Sequence, residues 1–208
     1  DKQQFGKMMN LNPDKKWISF FPGSRKDEVE KLLPIYLKTI SLMNKNHYEF
    51  MISRASTIRE RDFMDLLNRN CDDLNQIKIV SSNNYEMMKH SDFSVIKSGT
   101  STLEAAYIGT PYLICYKANP ISYWIGKKIV KIKYIGLPNI LMNRILVPEF
   151  IQNDVNPQKL KQKIESTLDN ETLYQMTKDN LSEIQQVLGK KSASKQTARL
   201  ILDLLRRT

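Results

Sequence analysis

The sequence predicts an α/β fold: a Rossmann-like parallel sheet with helices on both faces, followed by a carboxyl-terminal helical tail. Two observations lead there. Short continuous apolar runs alternate with longer segments of helical period, which is the pattern of a doubly wound parallel sheet. Two of those runs also end in small-residue turns, Pro22-Gly23-Ser24 and Ser98-Gly99-Thr100, each opening a helix, and such sheets bind ligands at the carboxyl ends of their strands.

The elements follow in order. Trp17–Phe21 reads as a buried strand stopped by Pro22-Gly23, and residues 26–45 as a helix with Val29, Leu32, Leu33, Leu37 and Ile40 on one face. Pro34 is out of place there, because it removes a helical donor. Tyr48–Ser53 is a second strand, Ile58–Asn68 a helix, Gln76–Ser81 a third strand and Tyr85–Lys89 a short helix. Asp92–Lys97 and Tyr112–Tyr116 are strands four and five, and the helix between them ends at Gly109-Thr110-Pro111. From Pro157 onward three helical segments, 157–168, 171–187 and 192–206, contain no strand. The expected division is therefore 1–156 as an α/β domain and 157–208 as a tail that packs on this domain or a partner. Leu200, Ile201, Leu204 and Leu205 give the last segment an apolar stripe that needs cover.

Composition excludes several classes. At 208 residues the chain is long enough to bury a full core. No run approaches the ~18 apolar residues of a membrane span, and no signal-peptide pattern opens the sequence. Cys71 and Cys115 are too few for a disulfide framework, and His47 and His90 too few for a histidine-built metal site or triad. No metal and no cofactor is expected, and a reducing compartment is the default. The net charge of +10 is unevenly placed: no Asp or Glu lies between Glu104 and Glu149, while Lys117, Lys127, Lys128, Lys131, Lys133 and Arg144 do. A field of one sign attracts phosphates, nucleic acid or an acidic membrane. No recognition motif supports nucleic acid.

The candidate site is built from anion chemistry. Ser98-Gly99-Thr100 leaves backbone N–H groups uncovered at a helix start, and Glu104 lies one turn on. Donors beside a carboxylate suit a nucleotide, although a plain Ser/Thr cap with a solvent Glu uses the same residues. Arg25, after Phe21-Pro22-Gly23-Ser24, stands at the unfavourable end of a helix dipole unless an anion binds between it and the amides. In Ile121–Ile132, lysines interleave with aliphatics behind Tyr123 and Trp124, which suits an anionic bilayer surface or a core helix with snorkelling lysines. Tyr134–Arg144 reads as neither strand nor long helix, and its Asn139 and Arg144 are candidates for the same anion. Glu149 reads equally well as a helix-start charge.

Taken together, Phe21–Arg25, Ser98–Glu104, Tyr123–Lys131 and Gly136–Leu141 with Arg144 and Val147–Gln152 resemble the lipid-A-disaccharide synthase family over roughly 11–165. The resemblance implies one half of a two-domain GT-B glycosyltransferase. The reaction it implies joins UDP-2,3-diacylglucosamine to 2,3-diacylglucosamine-1-phosphate through a β-1,6 bond and releases UDP. By position, Ser24, Arg25, Ser98, Gly99 and Thr100 would hold the diphosphate, Glu104 the ribose, and Asn139 and Arg144 would complete the donor pocket. The uracil would lie near Ser81, Ser82 and Tyr85, and Tyr123, Trp124, Lys127, Lys128 and Lys131 would face the membrane. Family members are close to twice this length, so this chain matches only their carboxyl-terminal half. The acceptor site and general base belong to the other half, and no activity is expected from this one alone. A homodimer and peripheral docking on the cytoplasmic face of the inner membrane are further expectations of the resemblance. Two readings stay open: another GT-B enzyme of UDP-GlcNAc (an epimerase or a cell-wall glucosaminyltransferase), and a non-enzymatic basic module.

Overall fold

The computed structural model describes residues 1–71, 73–119, 123, 133–188 and 193–205. Among them, six strands form one parallel sheet: β1 (Lys16–Phe21), β2 (Tyr48–Ser53), β3 (Ile77–Val80), β4 (Phe93–Lys97), β5 (Tyr112–Tyr116) and β6 (Glu149–Ile151). Their spatial order is β3-β2-β1-β4-β5-β6. The order reverses between β1 and β4, so a crevice opens beyond the carboxyl ends of those two strands. Ile18 pairs with Phe93 and Phe21 with Ile96 across this junction.

The strands are apolar on both faces because both faces are covered. On one side α2 (Lys26–Leu42), α3 (Glu60–Asn70) and α7 (Pro157–Leu168) enclose Ile18, Phe20, Phe50, Ile52, Val95 and Leu113. On the other, α1 (Lys2–Met9), α4 (Asn84–His90), α5 (Ser101–Ile108) and α8 (Glu171–Leu188) cover Trp17, Phe21, Met51, Ile96 and Ile114. Each such fully buried side chain contributes about 1.5–3 kcal/mol. One polar pair interrupts the apolar interior: Ser19 Oγ and Ser94 Oγ, 2.7 Å apart on adjacent central strands and both fully buried.

Several expectations are corrected or given detail. A sixth strand exists: Glu149 begins β6, which pairs with β5 from Ile114 to Tyr116, and is no helix-start charge. The 134–144 segment contains a short helix, α6 (Leu137–Met142), with Pro138 in its first turn, where a missing N–H costs nothing. The helix read over 26–45 forms as α2 and runs through Pro34, but ends at Leu42. The amino-terminal helix α1 had no counterpart in the sequence reading. Asp1 caps it by accepting from Gln4 N, and Gly6 lies against the Trp17 ring, where a Cβ would come within 2.6 Å.

The tail divides in two. In α7, capped by Asn156, Leu160 and Ile164 join the first core; in α8, Leu181 and Ile184 join the second. The last helix, α9 (Ala193–Leu205), differs: Leu200, Ile201, Leu204 and Leu205 are all exposed. No helix among the described residues is long and apolar enough to cross a membrane.

Candidate functional site

At the switch point lies a cavity of about 270 Å³, lined by Gly23, Ser24 and Glu28 on one side, by Ser53, Ala55, Asn84 and Met88 at its floor, and by Lys97, Gly99, Thr100, Ser101 and Glu104 on the other. Three helices give first-turn residues to its lining: Glu28 of α2, Asn84 of α4, and Ser101 and Glu104 of α5. The β1–α2 turn needs Gly23, which has φ +116° and a Glu28 Oε2 only 2.5 Å from where a Cβ would stand. Gly99 is a different case. A Cβ there would touch nothing nearer than Lys97 O at 3.9 Å, so packing does not require this glycine. Gly99, Thr100 and Ser101 all line the cavity, and their N–H groups bond to no other described residue.

Ser24, Gly99, Thr100 and Glu104 therefore come together around one cavity. Arg25 stands at the rim with its side chain 81% exposed, and reaches Glu28 Oε1 at 3.6 Å. Three residues fall elsewhere. Ser98 is buried; its N–H donates to Cys115 O and its hydroxyl to Ile135 O, so neither donor enters the cavity. Asn139 is fully buried in α6. Its amide donates to Val147 O and Glu149 Oε1 and accepts from Leu146 N and Val147 N. Every lone pair and proton of that amide is engaged, so it shapes the loop and has nothing left for a ligand. Arg144 pairs with Glu183 of α8 at 2.6 Å.

Ser81, Ser82 and Tyr85 are exposed beyond the end of β3; Ser81 Oγ accepts from Arg54 Nε. Tyr123 is half-buried and its N–H donates to Asn119 O. Trp124, Lys127, Lys128 and Lys131 lie outside the described residues. Among the described residues no cluster of His, Cys, Asp or Glu could hold a metal ion.

Two charged residues of the cavity were missed. Glu28 and Lys97 meet across it, Oε1 to Nζ at 2.7 Å. The available signal was topological: a lysine ending the fourth strand and an acid in the first turn after the first strand face each other once the strand order reverses.

The comparisons agree with this architecture. A family model described as Lipid-A-disaccharide synthetase matches residues 1–202. The chain belongs to the lipid-A-disaccharide synthase family. A curated lipid-A-disaccharide synthase from Sulfurihydrogenibium sp. is 37% identical over 215 residues, covering 99% of this chain and 55% of its own length. The chain thus spans about half the length of the curated synthases it matches. Solved structures share the fold at lower identity. UDP-GlcNAc 2-epimerase from Neisseria meningitidis bound to UDP-GlcNAc superimposes with TM-score 0.60 at 14% identity, over all of this synthase-family chain and 49% of the epimerase. The calicheamicin glycosyltransferase CalG4 gives TM-score 0.60 at 9% identity, over 95% and 44% of the two chains.

Proposed function

We propose that this chain is the donor-binding half of a lipid-A-disaccharide synthase, holding UDP-2,3-diacylglucosamine while its sugar passes to the 6-hydroxyl of 2,3-diacylglucosamine-1-phosphate. The observation that carries the reading is Gly99: a glycine not required by its own surroundings, at the start of three successive residues that line a switch-point cavity with N–H groups bonded to no described residue. The diphosphate lies against Gly99, Thr100 and Ser101, with Ser24 and Arg25 closing from the opposite wall. Glu104 accepts from the ribose hydroxyls, and the uracil extends toward Ser81, Ser82 and the exposed ring of Tyr85. As the glycosidic bond forms, the bond from C1 to the diphosphate oxygen breaks and negative charge grows on UDP. Aimed amides and the Arg25 guanidinium stabilise that charge without a metal.

The acceptor site and the general base belong to the other half of the enzyme. The exposed leucines of α9 give that half, or a second subunit, an apolar face to cover. The lysine-rich stretch from Lys117 to Lys133 suits an anionic bilayer on the cytoplasmic side, because both sugars carry acyl chains. The test is calorimetric titration of the chain with UDP, with ADP and Arg25→Ala as controls. Saturable UDP binding, weaker for ADP and for the variant, supports the reading; disaccharide formation by this chain alone would refute its restriction to donor binding.

A further inference from the structure

The cavity read above as a diphosphate site already contains an anion. Glu28 projects from the first turn of α2, and its side chain is only 15% exposed. Oε2 accepts from Ser24 N at 3.3 Å, and Oε1 lies 2.7 Å from Lys97 Nζ and 3.6 Å from Arg25 Nη1. Gly23 leaves room for it, since a Cβ there would collide with Oε2. One carboxylate thus engages a backbone N–H at a helix start, an ammonium and a guanidinium, the set of donors that phosphate oxygens seek.

We infer that Lys97 is a ligand of the entering diphosphate and that Glu28 is its resident competitor, displaced from Lys97 and Ser24 N when the diphosphate enters. The inference rests on the reading of this cavity as a donor site. Lys97 is the last residue of β4, two positions before Gly99, and its side chain is 21% exposed, so its ammonium lies inside the cavity rather than in bulk solvent. The charge balance explains the exchange. Glu28 and Glu104 line the cavity, and Lys97 with Arg25 beside it offsets them, so the protein's own charges there nearly cancel. A diphosphate bearing several charges cannot share Lys97 with a carboxylate at hydrogen-bond distance without strong like-charge repulsion. It takes over the ammonium, and Glu28 turns outward to solvent. Affinity is thereby held below what the donors alone would give, which suits a site that must release its nucleotide product.

The experiment is calorimetric titration of inorganic pyrophosphate, with UDP in parallel, into the chain and its Glu28→Gln, Glu28→Asp and Lys97→Met variants. Removing the carboxylate charge in Glu28→Gln is expected to tighten pyrophosphate binding about tenfold, and Lys97→Met to weaken it by about the same factor. The gain in Glu28→Gln should shrink at high salt, as an electrostatic term does. Gln keeps an oxygen to accept from Ser24 N, so the α2 start is preserved. Glu28→Asp keeps the charge but not the reach, and should fall between. Unchanged or weaker binding in Glu28→Gln, an unaffected Lys97→Met, or no pyrophosphate binding by any of the four overturns the inference. If UDP binds no better than ADP while the pyrophosphate pattern holds, the UDP reading fails and the exchange stands. If UDP binds selectively and Glu28→Gln brings no gain, the reverse is true.

Discussion

Asn139 Nδ2 donates to Glu149 Oε1 at 2.8 Å, and that same carboxylate accepts from the N–H groups of Ile135 and Gly136. Ile135 in turn accepts from the Ser98 hydroxyl. A chain of polar contacts therefore runs from the edge strand β6 to the turn beside the candidate site. Removing the amide leaves the N–H groups of Leu146 and Val147 without an acceptor in a buried place, while Glu149 Oε1 keeps the N–H groups of Ile135 and Gly136. Asn139→Ala is expected to lower stability by about 3 kcal/mol. The denaturant midpoint should drop at unchanged slope; a loss of UDP affinity at full stability would instead make the amide a ligand.

The two glycines of the site should separate by readout. Gly99→Ala meets no steric obstacle, so its thermal midpoint should match the parent while UDP affinity falls about tenfold through blocked backbone approach. Gly23→Ala, at φ +116° and against Glu28, should lose roughly 1–2 kcal/mol of stability. Equal UDP affinity in Gly99→Ala would remove the main support for an anion at that turn.

His90 supplies a pH dependence. Burial lowers its pKa from the usual 6.5, against the opposing pull of Glu86, whose Oε2 lies 2.9 Å from Nε2. A base with a depressed folded pKa binds fewer protons folded than unfolded. Its contribution is fully present above 6.5 and is lost as pH falls below that value. Comparing thermal midpoints of the parent and His90→Gln from pH 7.5 downward should show the parent losing stability faster below that point. Parallel curves would mean that the imidazole titrates alike folded and unfolded.

Thiol chemistry should distinguish the cysteines. Cys115 is fully buried in β5, and desolvation pushes its pKa up to about 12. Cys71 is half-buried beside α3. Iodoacetamide on the folded chain should label Cys71 alone, as read by peptide mass; both label after denaturation.

How much of this was legible in the sequence depended on the element. β1, β2, β4 and β5 are strands buried on both faces, so their apolar runs are continuous and their ends sharp. β6 escaped because three half-buried residues at a sheet edge make no run, and α1 because only Phe5 and Gly6 of it are buried. The turn at Gly99 was readable, since glycine before a helix has few other uses. Asn139 was not: spacing gives the position of an amide along the chain but not whether its four hydrogen bonds close on nearby backbone and the Glu149 carboxylate. Glu28 and Lys97 are 69 positions apart, and only the reversed strand order makes them neighbours.

The Ser19–Ser94 pair has a bearing on alignment. β1 and β4 are distant in sequence, and apolar side chains alone grip one another tolerantly along a strand. Two hydroxyls that satisfy only each other are matched at one offset. A slip by one residue would press each against hydrocarbon and turn the strands' faces over. The pair works like the index mark on a vernier. With that mark set, the ends of β1 and β4 stop level, and the two walls of the cavity face each other at a distance decided by a pair of serines two positions below the end of β1 and three below that of β4.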